Sequence, residues 1–298
     1  MRPILTFKRF SELPLELAVR LWNDGFEGYF VPINMTVDAF LARTMNEGIS
    51  LGRSLVAMDD DKPVGFVLNG FRDWDGQKLA WNGGTGVIAS HRGMGVGQAL
   101  IQKTLEVYRE EGVTIATLEA IAQNEAAIKL YTSNGYRTID RLLMLQRVGP
   151  FEQYVFGIAE TTAYTIEEKL PRDVQSLTFY RGDATWQTMW QSAVNGGQSA
   201  LAMDPATGEV IGYALYKKAI GESGAPTAII LYQCEAKPGR EDARDIAKSL
   251  LRFVYSPSEA SCSRLTVNLP SRNELVVDLL QQEGFTPQIV QVAMQMKQ

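Results

Sequence analysis

The sequence predicts an α/β fold, a mixed sheet with helices on both faces, and it predicts this fold twice in tandem. Three observations lead to the prediction. Segments whose apolar residues alternate, as in strands, are followed along the chain by segments whose apolar residues have helical spacing. A glycine-rich loop joins a strand to a helix in the first half, and the order of elements recurs after about half of the 298 residues. That length suffices for two domains of ordinary size.

The elements of the first half follow from the period of their apolar residues and from the turns between them. Strands alternate apolar and polar residues, whereas helices repeat an apolar residue every three or four positions. Short runs of Asp, Asn and Gly mark the turns. The predicted elements are strands at 7–10, 53–58, 64–71, 81–87, 114–119 and 136–145 and helices at 15–22, 37–45, 98–109 and 124–132.

The second half repeats this order. Asn124 and Asn273 lie 149 residues apart, and so do Gly135 and Gly284. A recurring offset of half the chain length indicates a tandem duplication. The predicted elements of the second half are helices at 186–194, 241–255 and 273–282 and strands at 199–203, 210–217, 229–235, 265–269 and 285–296.

The duplication also suggests the domain limits. We expect a first domain at 1–148, a linker at 149–163 and a second domain at 164–298. The linker would begin at Gly149-Pro150, a pair that is typical of connecting segments.

Residues 87–97 form the most informative stretch of the chain. They read Val-Ile-Ala-Ser-His-Arg-Gly-Met-Gly-Val-Gly and lead directly into a predicted helix. Three alternate glycines let a ligand approach the backbone closely, and the helix start presents free N–H groups and the positive end of its dipole. This combination predicts a diphosphate site. The second half has Glu-Asp-Ala-Arg at 241–244 instead, so we expect the first half alone to bind the anion.

The composition excludes several other classes of protein. A net charge of −5 argues against a nucleic-acid partner. Two cysteines far apart in sequence and a single histidine predict free thiols and no metal site. His91 is the one candidate for a histidine base, but its place in the glycine loop favours an exposed side chain. Without a membrane-length apolar run or a signal-peptide pattern, we expect a cytoplasmic protein with no membrane partner.

The glycine loop alone does not identify its ligand. A dinucleotide-binding fold would need Gly-x-Gly-x-x-Gly after an early strand, and a P-loop would need Gly-Lys-Ser/Thr; neither pattern fits. A second motif lies downstream of the loop. It consists of Leu118-Glu119-Ala120, Asn124, Leu130-Tyr131 and Gly135-Tyr136.

Together, the two motifs span about 50 residues and resemble the acetyl-coenzyme A signature of the GNAT N-acetyltransferase superfamily. The sequence departs from the family pattern at Ala89, where proline is usual. The resemblance implies two tandem acyl-CoA N-acyltransferase (GNAT) folds, the first catalytic and the second degenerate.

The resemblance also implies acetyl-CoA as co-substrate and assigns its contacts. The main-chain amides of 92–97 would hold the diphosphate, while Val87 and Ala89 would pair with the pantetheine arm and Asn124 would hydrogen-bond to it. Tyr131 would protonate the departing thiolate, because its ordinary pKa of about 10 keeps it protonated at neutral pH. The implied cofactor-binding residues are Val87, Ile88, Ala89, Arg92, Gly93, Met94, Gly95, Val96, Gly97, Asn124 and Tyr131.

Glu119 is the first candidate for the general base, because it follows the loop on a strand and its counterpart, Asn268, cannot act as a base. It also fits a carboxylate with structural hydrogen bonds. Other acidic residues lie in loops that would line an acceptor cleft or bind a cationic substrate: Asp24, Glu27, Asp73 and Asp75. Aromatic residues that would form walls of the cleft or simply pack are Tyr29, Phe30, Trp74 and Trp81.

The sequence thus favours an N-acetyltransferase that transfers acetyl from acetyl-CoA to a primary amine of a small molecule or peptide, by direct attack in a ternary complex. Two alternatives stay open: a non-catalytic acyl-CoA sensor or scaffold, and an acyltransferase that uses a longer acyl chain. We expect a monomer or a homodimer.

Overall fold

A computed structural model describes residues 3–151, 156, 164–257 and 260–297. The chain forms two compact units. The first contains Met1–Ile139 and Val292–Gln298, and the second contains Asp140–Gln291. The domain limits of 1–148 and 164–298 remain a prediction. The two units differ from these limits mainly because the end of the chain belongs to the first unit. The predicted linker at 149–163 lies largely outside the described residues.

The first unit is a mainly antiparallel sheet with helices. The chain order is β1 (Leu5–Arg9), α1 (Leu15–Gly25), α2 (Val37–Glu47), β2 (Leu55–Asp59), β3 (Lys62–Trp74), β4 (Gln77–Val87), α3 (Val96–Glu110), β5 (Ile115–Ile121), α4 (Glu125–Ser133) and the start of β6 (Arg137–Val148). Strands β1 to β4 are antiparallel neighbours in sequence order. Strand β5 is parallel to β4, as a strand that follows a helical crossover should be.

An aromatic cluster holds the helices of the first unit on the sheet. The ring centroids of Phe10 and Phe66 lie 6.0 Å apart, and those of Trp22 and Phe66 lie 5.4 Å apart. Phe40 of α2 stacks on Phe10 at 5.8 Å. Burial of four such rings is a large apolar contribution to the stability of this unit.

The second unit has the same plan. It contains most of β6, then β7 (Thr165–Lys169), α5 (Trp190–Ala193), β8 (Gly197–Met203), β9 (Val210–Ile220), β10 (Pro226–Ala236), α6 (Ala243–Val254), β11 (Ser263–Thr266), β12 (Leu269–Pro270), α7 (Glu274–Gln282) and the start of β13 (Thr286–Lys297). Its sheet runs in the order β6, β11, β10, β9, β8, β7. Strands β10 and β11 are parallel, as β4 and β5 are.

The predicted mixed α/β fold is confirmed, with local differences. The expected helix at 186–194 is shorter, because a 3₁₀ turn at Trp186–Thr188 precedes the four residues of α5. Strand β7 was not predicted, since Thr-Ile-Glu-Glu-Lys offers a single apolar side chain. It forms because the main chain of β8 supplies its hydrogen bonds, which is how a polar edge strand is stabilised.

Candidate functional site

Strands β4 and β5 separate partway along their length. They pair from Leu79–Ile115 to Asn82–Leu118 and no further. Strand β4 nevertheless continues to Val87, where it still pairs with Gly65 of β3. One edge of β4 is therefore free of β5 along its last five residues.

The free edge of β4 presents main-chain groups to the gap. Ile88 N–H donates to the Val64 carbonyl at 3.0 Å, so residue 88 points its main-chain groups at β3. In an antiparallel ladder the direction alternates, and Thr85 and Val87 therefore point away from β3. An extended ligand in the gap could pair with β4 as an added strand does.

The glycine loop follows β4 directly. Gly93 and Gly95 have φ values of +74° and +90°, a backbone region that favours glycine. A Cβ at either position would meet no atom within 4 Å, so conformation and not crowding requires these glycines. Gly95 is the N-cap of α3, and no side chain caps that helix. The first N–H groups of α3 therefore remain available to an anion.

A cavity of about 390 Å³ connects the loop with the gap between the strands. Its walls come from the loop after α1, from the glycine loop and from α4. The predicted cofactor-binding residues that line it are Val87, Arg92, Gly93, Gly95, Val96, Gly97, Asn124 and Tyr131. Three others are not in the lining: the Ile88 side chain is buried elsewhere, while Ala89 and Met94 are exposed.

Tyr131 lies at the end of the cavity that is nearest the gap. It projects from α4, is 7% exposed, and lies near the side chains of Thr85 and Asn82 of β4. Burial raises the pKa of Tyr131 to about 12, although these polar neighbours act against the rise. The hydroxyl is therefore protonated over the whole physiological range and can donate a proton.

Asn124 is the N-cap residue of α4 and therefore also stabilises the helix. Its Oδ1 accepts from the Ala127 N–H at 3.1 Å, which is an ordinary N-cap. The side chain also lies near Tyr29, which lines the cavity and whose pKa is raised by burial.

Glu119 lies on β5, one residue beyond its last pair with β4. Its Oε2 accepts from Trp81 Nε1 at 2.7 Å. Burial raises the pKa of Glu119 to about 7; the Trp81 hydrogen bond opposes that rise and the Glu47 carboxylate adds to it. The carboxyl group is not in the lining of the cavity that contains Tyr131.

Sequence reasoning missed a pair on α2 near Glu119. Arg43 Nη2 donates to the Gly83 carbonyl at 2.6 Å, and its Nε lies 2.9 Å from a Glu47 oxygen. The guanidinium also lies over the ring of Trp22, 4.6 Å from its centroid. An Arg and a Glu four residues apart on a helix look like a surface ion pair in the sequence. Here Glu47 pairs with Arg43, and Arg43 binds the main chain of β4 at Gly83, where β4 separates from β5.

The remaining candidates divide between the cavity and other places. Glu27, Tyr29 and Phe30 line the cavity, whereas Asp24, Asp73, Asp75 and Trp74 do not and Trp81 is buried. His91 lines it too, but its side chain is only 14% exposed and its ring nitrogens contact Ser90 and Asp59 at 2.9 and 3.1 Å. The prediction of an exposed His91 side chain is therefore wrong, because the ring contacts Asp59 at the end of β2.

The second unit fills the equivalent gap with its own side chains. Asn273, the counterpart of Asn124, donates from Nδ2 to the Cys234 carbonyl at 3.1 Å and to Glu235 Oε1 at 3.2 Å. Leu280, fully buried, replaces Tyr131. A small cavity of about 10 Å³ borders Cys234, Glu235 and Asn273. That is room for about one water molecule.

Helix α6 also begins earlier than α3. An added Cβ at Gly65 would touch Val96 and Leu100, and one at Gly212 would touch Ile246 and Leu250. Ile246 thus matches Val96, which begins α3, whereas α6 begins three residues earlier at Ala243. Nearly one extra helical turn, about 4.5 Å long, replaces the glycine loop.

A carboxylate of the protein stands at the start of α6. Asp242 is its N-cap residue and accepts from Arg240 and from the Tyr164 hydroxyl, both at 2.7 Å. These hydrogen bonds hold the pKa of Asp242 well below its usual range. The negative charge at this helix start would repel a diphosphate.

The comparisons with known proteins agree with this geometry. Residues 18–136 match the Acetyltransferase (GNAT) family. A putative acetyltransferase from Pyrococcus horikoshii is 15% identical with a TM-score of 0.63, covering 100% of this chain and 90% of that one. A GCN5-related N-acetyltransferase from Sphaerobacter thermophilus is 17% identical with a TM-score of 0.63, covering 99% and 96%. No curated protein sequence matches the chain.

A tandem GNAT protein from the clavulanic acid biosynthesis pathway is also similar, with 15% identity, a TM-score of 0.62 and coverage of 98% of both chains. At such identities the likeness concerns the fold. The match to the GNAT family lies within the first unit, and over its whole length the chain carries two GNAT-like folds in tandem.

Two further findings concern metals and membranes. Among the described residues, no group of three or more His, Cys, Asp or Glu side chains is arranged to hold a metal ion. No helix in the described part of the chain is long and apolar enough to cross a membrane.

Proposed function

We propose that the first unit transfers an acetyl group from acetyl-CoA to a primary amine of a small molecule or peptide. One observation carries the proposal: a single cavity has a helix start with free N–H groups at one end and the buried hydroxyl of Tyr131 at the other. An acyl thioester of a long diphosphate-bearing carrier needs both ends.

The cavity fits acetyl-CoA by its own chemistry. The diphosphate would accept from the amides at the start of α3, where the positive φ of Gly93 and Gly95 shapes the loop. The pantetheine arm would lie along the free edge of β4 and pair with Val87. Asn124 would donate its Nδ2 to the same arm. Acetyl-CoA acts here as a co-substrate, and no metal takes part in the proposal.

The chemistry needs two proton movements. The amine nitrogen attacks the thioester carbonyl carbon, a carbon–nitrogen bond forms, and the carbon–sulfur bond breaks. The thiolate sulfur takes a proton from Tyr131, which gives free thiol. The amine loses a proton to Glu119 through water, because the Glu119 carboxyl group does not line the cavity. A carboxylate with a pKa of about 7 suits that task, because it is ionised yet still basic at neutral pH.

The second unit has no catalytic role in this proposal. It lacks the glycine loop, Leu280 replaces the tyrosine, and Asp242 occupies the start of its helix. We infer that its contribution is structural.

A binding experiment tests the proposal and its location. Calorimetry with coenzyme A should show binding to the wild-type chain and none to a variant with Gly93→Asp and Gly95→Asp. Gly239→Asp is the matched control, because Gly239 also has a positive φ, +83°, and an equally open surrounding, but lies in the second unit. Binding that survives the double substitution would overturn the assignment.

A transfer assay tests the reaction. The protein and acetyl-CoA are incubated with polyamines, amino acids, aminoglycosides and peptides, and the release of free thiol is followed. Acetyl transfer to at least one amine is the expected result. Tight coenzyme A binding without any transfer would support the sensor alternative, and transfer with longer acyl chains alone would support the other alternative.

A further inference from the structure

Arg92 opens the glycine loop, at a place where a guanidinium could bind a diphosphate directly. Its Nε and Nη2 groups have partners within the protein instead. Nε donates to the Val87 carbonyl at 2.9 Å, and Nη2 donates to the carbonyls of Gly25 at 3.2 Å and Glu27 at 2.7 Å. The side chain therefore joins the glycine loop to the end of α1, more than 60 residues earlier.

The end of α1 is a natural place for this cation. The last carbonyls of a helix lack partners within the helix and carry the negative end of its dipole. Gly25, the last residue of α1, also lies against β4, since a Cβ there would come within 3.3 Å of the Gly86 Cα. Arg92 thus fixes a close contact between the helix end and the strand that borders the gap.

The residues after α1 form an aromatic wall of the cavity. Phe26 and Tyr29 have ring centroids 5.2 Å apart, and Tyr29 and Phe30 are 5.5 Å apart. All three line the cavity. Tyr29 reaches Asn124, and it lies close enough to Tyr131 to contribute to the raised pKa of that residue. The wall therefore extends to the end of the cavity where acyl transfer would occur.

We propose that Arg92 is a positioning residue for the acceptor: its guanidinium holds residues 25–30 as a preformed wall beside Tyr131. The inference rests on the proposed function. It links the site of the diphosphate to the shape of the acceptor site through one side chain. Loss of this link should weaken use of the acceptor more than binding of coenzyme A.

Lysine at this position separates charge from geometry. An ammonium keeps the positive charge near the loop, but it lacks the planar fork that reaches three carbonyls at once. If Arg92 acted on the diphosphate mainly through charge, Arg92→Lys would retain most of the activity. If Arg92 acts through the wall, lysine does not replace it.

The experiment uses the full chain with Arg92→Lys and, as control, Lys103→Arg on the exposed side of α3, where Lys103 pairs with Glu106. For Arg92→Lys we expect the Kd for coenzyme A to change less than about threefold. The KM for the best amine of the transfer assay should rise about tenfold, with a smaller change in kcat. Hydrogen exchange of the amides at 25–30 should become about tenfold faster without any ligand. The control should match wild type in all three.

Two results would overturn the inference. One is an Arg92→Lys variant with wild-type exchange at 25–30 and wild-type KM. The other is a large loss of coenzyme A affinity with unchanged exchange, which would make Arg92 a direct diphosphate ligand. If the wild-type chain binds no coenzyme A, the proposed function fails, whereas the exchange measurement still decides whether Arg92 orders the wall.

Discussion

The two units have the same order of strands and helices around the gap, yet the gap of the first opens into a cavity of about 390 Å³, whereas that of the second is crossed by hydrogen bonds of Asn273. In the first unit, glycines at positive φ precede α3, which begins only at Val96 and leaves its first N–H groups free. In the second, an extra turn of α6 and the side chain of Asn273 fill the space. Few changes therefore separate a ligand site from a closed core in this fold. Several substitutions in the first unit therefore have a control in the second.

Removal of the Tyr131 hydroxyl should give the largest effect. Tyr131→Phe is expected to lower kcat about 100-fold or more, because the thiolate loses its proton donor, with little change in the Kd for coenzyme A. Tyr136→Phe is the control: this ring lies 5.9 Å from that of Tyr131 and is equally buried, and its counterpart is already Phe285. Steady-state kinetics of both variants checks the prediction, and equal kcat values would remove Tyr131 from the reaction.

The next largest effect concerns Glu119 and pH. Because burial raises its pKa to about 7, the wild-type kcat/KM should rise with pH up to about 7 as the carboxylate forms. Glu119→Gln should lower kcat/KM about 10-fold to 100-fold and remove this inflection. Glu235, whose pKa is also raised to about 7, provides the control in the second unit. A Glu235→Gln variant that loses activity equally would show that the effect is structural.

Asn124 and Asn273 should separate capping from ligand binding. Both cap a helix through Oδ1, so alanine at either position should lower the free energy of unfolding by about 1 kcal/mol. Asn124→Ala alone should also weaken coenzyme A binding, about tenfold for the loss of one hydrogen bond to the ligand. Denaturant titration and calorimetry measure the two quantities. An equal loss of affinity in both variants would contradict the assignment.

The last prediction concerns stability and not activity. Burial raises the pKa of Glu235 from 4.5 to about 7, so the folded state keeps a proton that the unfolded state releases. The free energy of unfolding should therefore fall as pH rises from about 4.5 to 7. Relative to wild type, Glu235→Gln should therefore raise the free energy of unfolding by about 1–2 kcal/mol at pH 8 and change it little at pH 4. Thermal melts at both pH values test it; an equal shift at both would exclude the carboxyl as the cause.

The sequence alone predicted the fold, its duplication and much of the candidate site. Local patterns carried that information: the period of apolar residues sets strands and helices, and glycine is the residue that most readily adopts a positive φ. The cavity residues Gly93, Gly95, Asn124 and Tyr131 were therefore within reach of sequence reasoning. Short motifs of this kind depend on neighbours along the chain, which the sequence displays.

Tertiary structure alone decided the rest. The last residues of the chain join the first unit, and Arg92 reaches carbonyls 65 and 67 residues away. Arg43 donates a hydrogen bond to the carbonyl of Gly83, which lies 40 residues later in the chain, and Asp59 contacts the ring of His91. Each of these contacts satisfies a polar group or buries apolar surface between segments that are distant in the chain. The physical reason is that hydrogen bonding and packing depend on proximity in space, which a single sequence does not encode position by position.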